Sequence, residues 1–189
     1  MVSYDKYIRK ERYFTMNKNQ KNDHEKYVSL AKEMGAKNAV KFNIDDIVFD
    51  PRVVLKCMFG CSDYGRNHTC PYQKSPLSME EYRKIFQHYS WGIIIGCNEK
   101  KISQEISYEI ERRAFLDGYH FSFSLSDCGL CKECSRISGK CCNVPTKARP
   151  AFHAVGIDVF KTVHKFDLPL YVMQSPEDGA NWYSAVFME

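Results

Sequence analysis

Five of the nine cysteines in this chain lie within fifteen residues, in the stretch CGLCKECSRISGKCC at positions 128–142. Two residues separate Cys128 from Cys131, and two more separate Cys131 from Cys134. Cys141 and Cys142 follow after a further six residues. Thiolates spaced so closely in a loop can converge on one metal centre. Each iron of a cubane cluster binds its own external ligand, and three evenly spaced cysteines can supply three of these ligands. Zinc sites more often have their cysteines in two pairs that lie apart in the sequence. The run therefore favours an iron–sulfur cluster over zinc.

A looser group precedes that run and consists of Cys57, Cys61 and Cys70. Three cysteines with no obvious fourth leave three possibilities open. They could hold a second cluster with an open or non-cysteine iron, take Cys141 as a fourth ligand, or form one composite site with the other group. His68 is a weaker candidate ligand, which we expect instead to bond the backbone.

A disulfide framework and a redox-active cysteine pair both fit the clustered thiols less well. No stretch of signal-peptide or membrane-spanning length is apolar, so we expect a cytoplasmic protein, in which thiols stay reduced and a disulfide framework is disfavoured. A thioredoxin-like redox pair needs a single Cys-x-x-Cys motif, fewer cysteines than are present. Cys97 ends a hydrophobic stretch, and we expect it to serve in packing.

Charge gives little indication of a partner. The net charge is +4, and six of the 27 basic residues fall within residues 1–22, which we interpret as a polar, basic tail preceding a single domain at 23–189. No basic motif interleaved with aromatic residues follows, so nucleic acid is a disfavoured partner. Neither a phosphate-binding loop nor a hydrolase motif is present in the sequence.

The elements that must position these cysteines alternate between helices and strands. Helical spacing and caps predict helices from residue 23 to Gly35, from Ser78 to about His88, and from Ile102 to Gly118. Residues 39–44, 91–97 and 119–125 have strand patterns, and residues 170–174 with 181–189 resemble a terminal hairpin. We therefore predict an α/β or α+β fold, with one mixed sheet, covering helices and cysteine-bearing loops.

Three blocks of sequence resemble a known family. They are LKCMFGCSDYGRNHTCP at 55–71, CGLCKEC at 128–134 and CCNVPTKARPAFHAVGIDVFKT at 141–162. Together they resemble the bacterial and archaeal predicted metal-binding proteins, domain of unknown function 2284, over roughly residues 24–188. The resemblance implies a soluble metal-binding protein, of iron–sulfur type, with no established reaction. It also implies that Cys142 occupies the family's closing cysteine position and that Cys141 is additional.

The candidate metal ligands are thus eight cysteines: Cys57, Cys61, Cys70, Cys128, Cys131, Cys134, Cys141 and Cys142. The leading hypothesis is an iron–sulfur protein with one or two [4Fe–4S]-type clusters, used in electron transfer or redox chemistry with an unidentified partner protein. One alternative is a structural zinc module that mediates interactions. Another is a cluster enzyme in which the group at 57–70 leaves one iron open to substrate.

Overall fold

In the computed structural model, which describes residues 23–70, 77–175 and 178–189, four strands form one sheet. These strands are β1 (Asn38–Asn43), β2 (Trp91–Cys97), β3 (Phe123–Leu125) and β4 (Trp182–Met188). Their order across the sheet is β1–β2–β4–β3, and every neighbouring pair is antiparallel. Ile94 at the centre of β2 faces Val40 on one side and Ala185 on the other.

Five α-helices surround this sheet in the described part of the chain. They are α1 (Asp23–Glu33), α2 (Val53–Gly60), α3 (Met79–Phe86), α4 (Lys100–Leu116) and α5 (Val159–His164). Short 3-10 turns occupy Ile44–Asp46, Ser135–Ser138 and His153–Val155. The start of α3 shows the predicted capping box, in which the Ser78 hydroxyl accepts from the Glu81 N–H and the Glu81 carboxylate accepts from the Ser78 N–H.

Side chains on successive residues of β2 point to opposite faces, and both faces are covered. Ile94 packs with Phe42, Phe187 and the 3-10 turn near Val155 in one hydrophobic cluster. Ile93 and Ile95 pack in a second cluster, which includes buried residues of α1 and α4. A strand covered on both faces is apolar at every position, which explains the uninterrupted run at 91–97.

The structure confirms an α+β fold with a single sheet and covering helices, and corrects three details. The sheet is antiparallel throughout, not mixed. The expected strand at 119–125 is shorter, since only Phe123–Leu125 is paired. The expected hairpin is wrong because residues 170–174 form no strand. The carbonyl oxygens at the start of this segment bond side chains instead of a strand. The Tyr183 hydroxyl donates to the Pro169 carbonyl at 2.7 Å, and a ring nitrogen of His164 lies 3.0 Å from the Leu170 carbonyl oxygen.

The predicted tail at 1–22 lies outside the described residues. Among the helices that the structure does describe, none has both the length and the hydropathy that crossing a bilayer requires.

Candidate metal centre

The cysteine groups are placed by a helix and by the end of a strand. The sequence predicts both groups in loops, and for Cys57 this is wrong, because Cys57 is a buried residue of α2. Cys61 follows the last residue of that helix, and Cys70 lies in the connection beyond it. Cys128 comes three residues after the end of β3. The connecting segment that follows also contains Cys131, Cys134 and Cys142.

A small cavity of about 90 Å³ brings the first group together with one member of the second. Its lining includes Cys57, Cys61 and Cys70 together with Cys128. The rest of its wall includes two acidic residues, Asp63 and Asp127, and the 3-10 turn at His153. Four thiols from two distant parts of the chain therefore line one space.

A second cavity, of about 230 Å³, adjoins the first. It is lined by Cys128, Cys131, Cys134 and Cys142. The two cavities share a wall made by Asp63, Asn67, Thr69, Lys100 and Cys128. The structure thus places seven of the eight candidate ligands around two contiguous spaces, with Cys128 between them.

Hydrogen bonds tie the two cysteine-bearing segments to each other. The Arg136 Nε, from the 3-10 turn of the second group, donates to the Gly65 carbonyl at 3.0 Å. A ring nitrogen of His68 is 2.9 Å from the Lys140 carbonyl oxygen. His68 therefore bonds the backbone, as predicted, and helps to hold the segments at 61–70 and 128–142 side by side.

Helix α4 supports the second segment through Gln104, a functional candidate that sequence reasoning missed. Its side chain is 1% exposed, and its Oε1 accepts from the Gly129 N–H at 2.7 Å while its Nε2 donates to the Lys147 carbonyl at 3.3 Å. The available signal was a set of polar residues on the helix face that also carries Ile106, Ile110 and Ala114. These polar residues are Ser103, Gln104 and Ser107. Buried polar groups need partners, so such a set indicates a backbone segment held against the helix.

Lys100 lies where the two cavities meet. Its aliphatic stem contacts Gly129, where a Cβ atom would come within 3.1 Å of the Lys100 Cγ, so a larger residue at 129 would displace the lysine. The Lys100 Nζ lies 5.3 Å from the centre of the Trp182 ring. Lys100 lines both cavities, and a lysine there favours the charged, thiolate form of cysteines nearby.

The paired cysteines differ in their surroundings. Cys142 is partly buried and lines the second cavity. Cys141 is exposed and lies outside the lining of both cavities, and its carbonyl accepts from the Ser135 hydroxyl at 2.6 Å. Cys97 is 3% exposed within the second hydrophobic cluster, which confirms its packing role, and burial raises the pKa of its thiol.

Three cations close in sequence to the cysteines, Arg66, Lys147 and Arg149, have different surroundings. Arg149 is almost buried and forms a bidentate ion pair with Glu111, whose carboxylate also accepts from the Ser124 N–H and hydroxyl. The Lys147 Nζ lies 5.5 Å from the Tyr108 ring centre. Arg66, in contrast, lines the second cavity. Of the three, Arg66 is the one placed beside the thiols.

The donor set, seven cysteine thiols, fits a metal centre with sulfur ligands. The Gly65 N–H donates to the Cys70 Sγ at 3.2 Å, the kind of bond that stabilises a metal-bound thiolate. None of the nine cysteines, all of which the structure describes, forms a disulfide. No three His, Cys, Asp or Glu side chains in the described ranges converge as ligands of a single ion do.

Comparison with known proteins identifies one family. The sequence model of the family described as predicted metal-binding protein, domain of unknown function 2284, matches residues 40–188. The match includes both groups of cysteines and all four strands except the first two residues of β1. Searches of curated proteins and of solved structures gave no significant match.

Proposed function

We propose that this chain, which belongs to the family of predicted metal-binding proteins, holds two iron–sulfur clusters of the [4Fe–4S] type and exchanges electrons through them. The observation that carries the proposal is the pair of contiguous cavities, each lined by four cysteines when the shared Cys128 is counted for both. Four cysteines are the usual complement of such a cluster.

The surrounding residues suit clusters better than single zinc ions. Four thiolates bound to one zinc at about 2.3 Å lie within about 3.8 Å of one another, whereas each thiolate of a cubane binds a different iron. Thiols spread around a cavity match the second arrangement. Lys100 at the shared wall and the Gly65 N–H at Cys70 would both stabilise added negative charge, and so favour the reduced state.

The contiguity of the two cavities supports electron transfer as the use of these sites. A bound iron–sulfur cluster supplies one-electron redox chemistry. Because the cavities share Cys128 and Lys100, the two sites are near neighbours. The hydrogen bonds between Arg136 and Gly65 and between His68 and Lys140 hold the two sites at a fixed distance from each other. A partner protein would then supply or accept the electrons.

Metal and sulfide analysis of anaerobically prepared protein tests the proposal. We expect a brown protein with broad absorption at about 400 nm, and about eight irons and eight sulfides per chain. Replacing Cys57 and Cys131 together by serine should remove nearly all the iron. Cys97→Ser is the matched control and should retain it, since that thiol lies in the hydrophobic core. A colourless protein that contains stoichiometric zinc after the same preparation would refute the iron–sulfur proposal and favour a structural zinc module.

A further inference from the structure

Lys100 is a cation that the two cavities share. It is the first residue of α4 and lines both spaces, whereas Arg66 and Lys132 line the second but not the first. Among the described residues that line the first cavity, Lys100 is the one lysine or arginine. A single cationic side chain therefore belongs to the walls of both sites.

The charge of Lys100 is not paired with a carboxylate. Within the part of the chain that the structure describes, its Nζ forms no ion pair, whereas the Nζ of the neighbouring Lys101 lies 3.8 Å from the Glu105 carboxylate. The Lys100 Nζ instead lies 5.3 Å from the centre of the Trp182 ring. An aromatic ring attracts a cation without neutralising it. The Lys100 charge is thus available to groups bound in the cavities.

Gly129 leaves the room that this lysine occupies. A Cβ atom at residue 129 would lie 3.1 Å from the Lys100 Cγ and 3.2 Å from its Cε, which is closer than such contacts normally allow. The Gly129 N–H in turn donates to Gln104, which lies one turn further along α4. The lysine stem therefore packs against a backbone segment that its own helix keeps in place.

The carboxylates around the cavities oppose the effect of this cation. Asp63 lines both spaces, Asp127 lines the first and Glu133 lines the second. A negative charge disfavours the addition of an electron to a cluster beside it, and a positive charge favours it. Because the interaction between two charges falls only with the first power of distance, a cation in a shared wall acts on both sites.

We propose that Lys100 sets the reduction potentials of both clusters, and that Gly129 keeps it in position to do so. Each cluster accepts one electron from the partner protein, and the lysine stabilises the more negative, reduced state of both. This inference rests on the proposed iron–sulfur function and adds to it a regulating residue outside the candidate ligands. It holds whichever of the two sites uses Cys128 as a ligand.

Redox titration of the anaerobically prepared full chain with dithionite, followed by electron paramagnetic resonance, tests the role of Lys100. Lys100→Met removes the charge and keeps an unbranched side chain. We expect the equilibrium constant for one-electron reduction to fall about ten-fold at both clusters, which lowers each potential by about 59 mV. Lys100→Arg keeps the charge and should change either constant by less than about three-fold. Should methionine cost the protein its iron, Lys100→Gln removes the same charge and should give the same shift.

Lys101→Met is the matched control, since it removes the same charge from the next residue of the helix. Lys101 is exposed, lines neither cavity and already lies near Glu105. Its replacement should change either constant by less than about two-fold, because exposed charges are screened by solvent and salt.

Gly129→Ala tests how the lysine is held. The added methyl group displaces the Lys100 stem while the charge stays in the chain, so both potentials should fall by less than in Lys100→Met. In the Lys100→Met background the same change should lower neither potential further, because the two residues act through one interaction.

Each other result has a definite meaning. Two clusters whose potentials do not fall in Lys100→Met, or of which only one falls, would overturn the inference and leave the proposed function standing. An equal fall in Lys101→Met or in Lys100→Arg would also overturn it, since the charge at this position would not be the cause. A fall in Gly129→Ala that is the same with and without Lys100 would overturn the role of Gly129.

The iron content separates failure of this inference from failure of the proposed function. Protein without iron, or with a single cluster, would overturn the two-cluster proposal and this inference with it. Iron analysis and circular dichroism of each variant check that a changed potential does not arise from cluster loss or unfolding.

Discussion

Gln104 is a buried residue on which the position of the second cysteine segment depends. Its amide oxygen accepts from the Gly129 N–H, and its amide nitrogen donates to the Lys147 carbonyl. One side chain therefore holds both ends of the segment that contains Cys131, Cys134 and Cys142. A hydrogen bond made by a buried amide contributes modestly to stability, but leaving the partner groups unsatisfied is costly. Gln104 is therefore a positioning residue for the thiols.

Gln104→Met retains the length of this side chain but removes both hydrogen bonds. We expect the free energy of unfolding to fall by about 1–3 kcal/mol, and a chelator to remove iron from the second site about ten-fold faster. Urea denaturation and the rate of iron release measure the two effects. Gln87→Met, the same change at an exposed position, should alter stability by less than about 0.5 kcal/mol. Equal iron release from wild type and Gln104→Met would contradict the positioning role.

At the scale of single residues, sequence spacing identifies which cysteines are clustered along the chain. It does not identify which of them line the same cavity. The run at 128–134 suggests that Cys128 belongs with Cys131 and Cys134, because spacing reports only local proximity. In the structure Cys128 also lines the cavity of Cys57, Cys61 and Cys70. That association depends on β3 and α2 being brought together by the sheet and the turn at His153, which no local pattern encodes.

Strand β2 is the element around which both hydrophobic clusters are built. Its residues face β1 on one side and β4 on the other, and Gly92 is paired with Phe42 and Phe187. A Cβ atom at Gly92 would collide with the Phe42 ring and with the Val186 carbonyl oxygen. Backbone cannot yield as a flexible side chain does, so the position requires glycine.

Gly92→Ala should lower the free energy of unfolding by at least about 2 kcal/mol, because the sheet must shift to admit the methyl group. Gly60→Ala is the matched control. Gly60 ends α2 with open space around it, and alanine there should be neutral or stabilising by up to about 1 kcal/mol. Thermal and urea denaturation distinguish the two variants. A Gly92→Ala protein as stable as Gly60→Ala would show that β1 and β4 are less closely packed on β2 than the structure indicates.

At the scale of elements, periodicity predicts the strongly patterned segments well. Residues 91–97 form β2 as predicted, and the capping box at Ser78 starts α3. Helix α2 was missed because its residues are nearly all apolar, so the pattern shows no helical period. Residues 170–174 have strand-like composition, yet Tyr171 and Val172 are largely exposed, and the Leu170 carbonyl bonds the His164 ring instead of a neighbouring strand.

At the scale of the whole molecule, helix α1 extends the folded unit beyond the part that the family match covers. The match begins at residue 40, whereas α1 spans Asp23–Glu33. Tyr27 and Ala31 of this helix are completely buried. The Tyr27 hydroxyl donates to the Asp117 carboxylate at 2.7 Å, and its ring lies 6.2 Å from that of Trp91. We therefore propose a single domain that begins at residue 23.

Truncation of the chain tests where this domain begins. Deletion of residues 1–22 should leave the thermal midpoint nearly unchanged, because the proposed domain keeps α1. Deletion of residues 1–35 should lower it by about 10 °C or more, since it exposes the face of the sheet formed by Ile93 and Ile95 and removes a large aromatic side chain from the core. Tyr27→Ala in the full chain should reproduce much of that loss without altering the tail. Equal midpoints for the two deletions would mean that α1 adds no stability, and a large loss on deleting 1–22 alone would place the start of the domain within the tail.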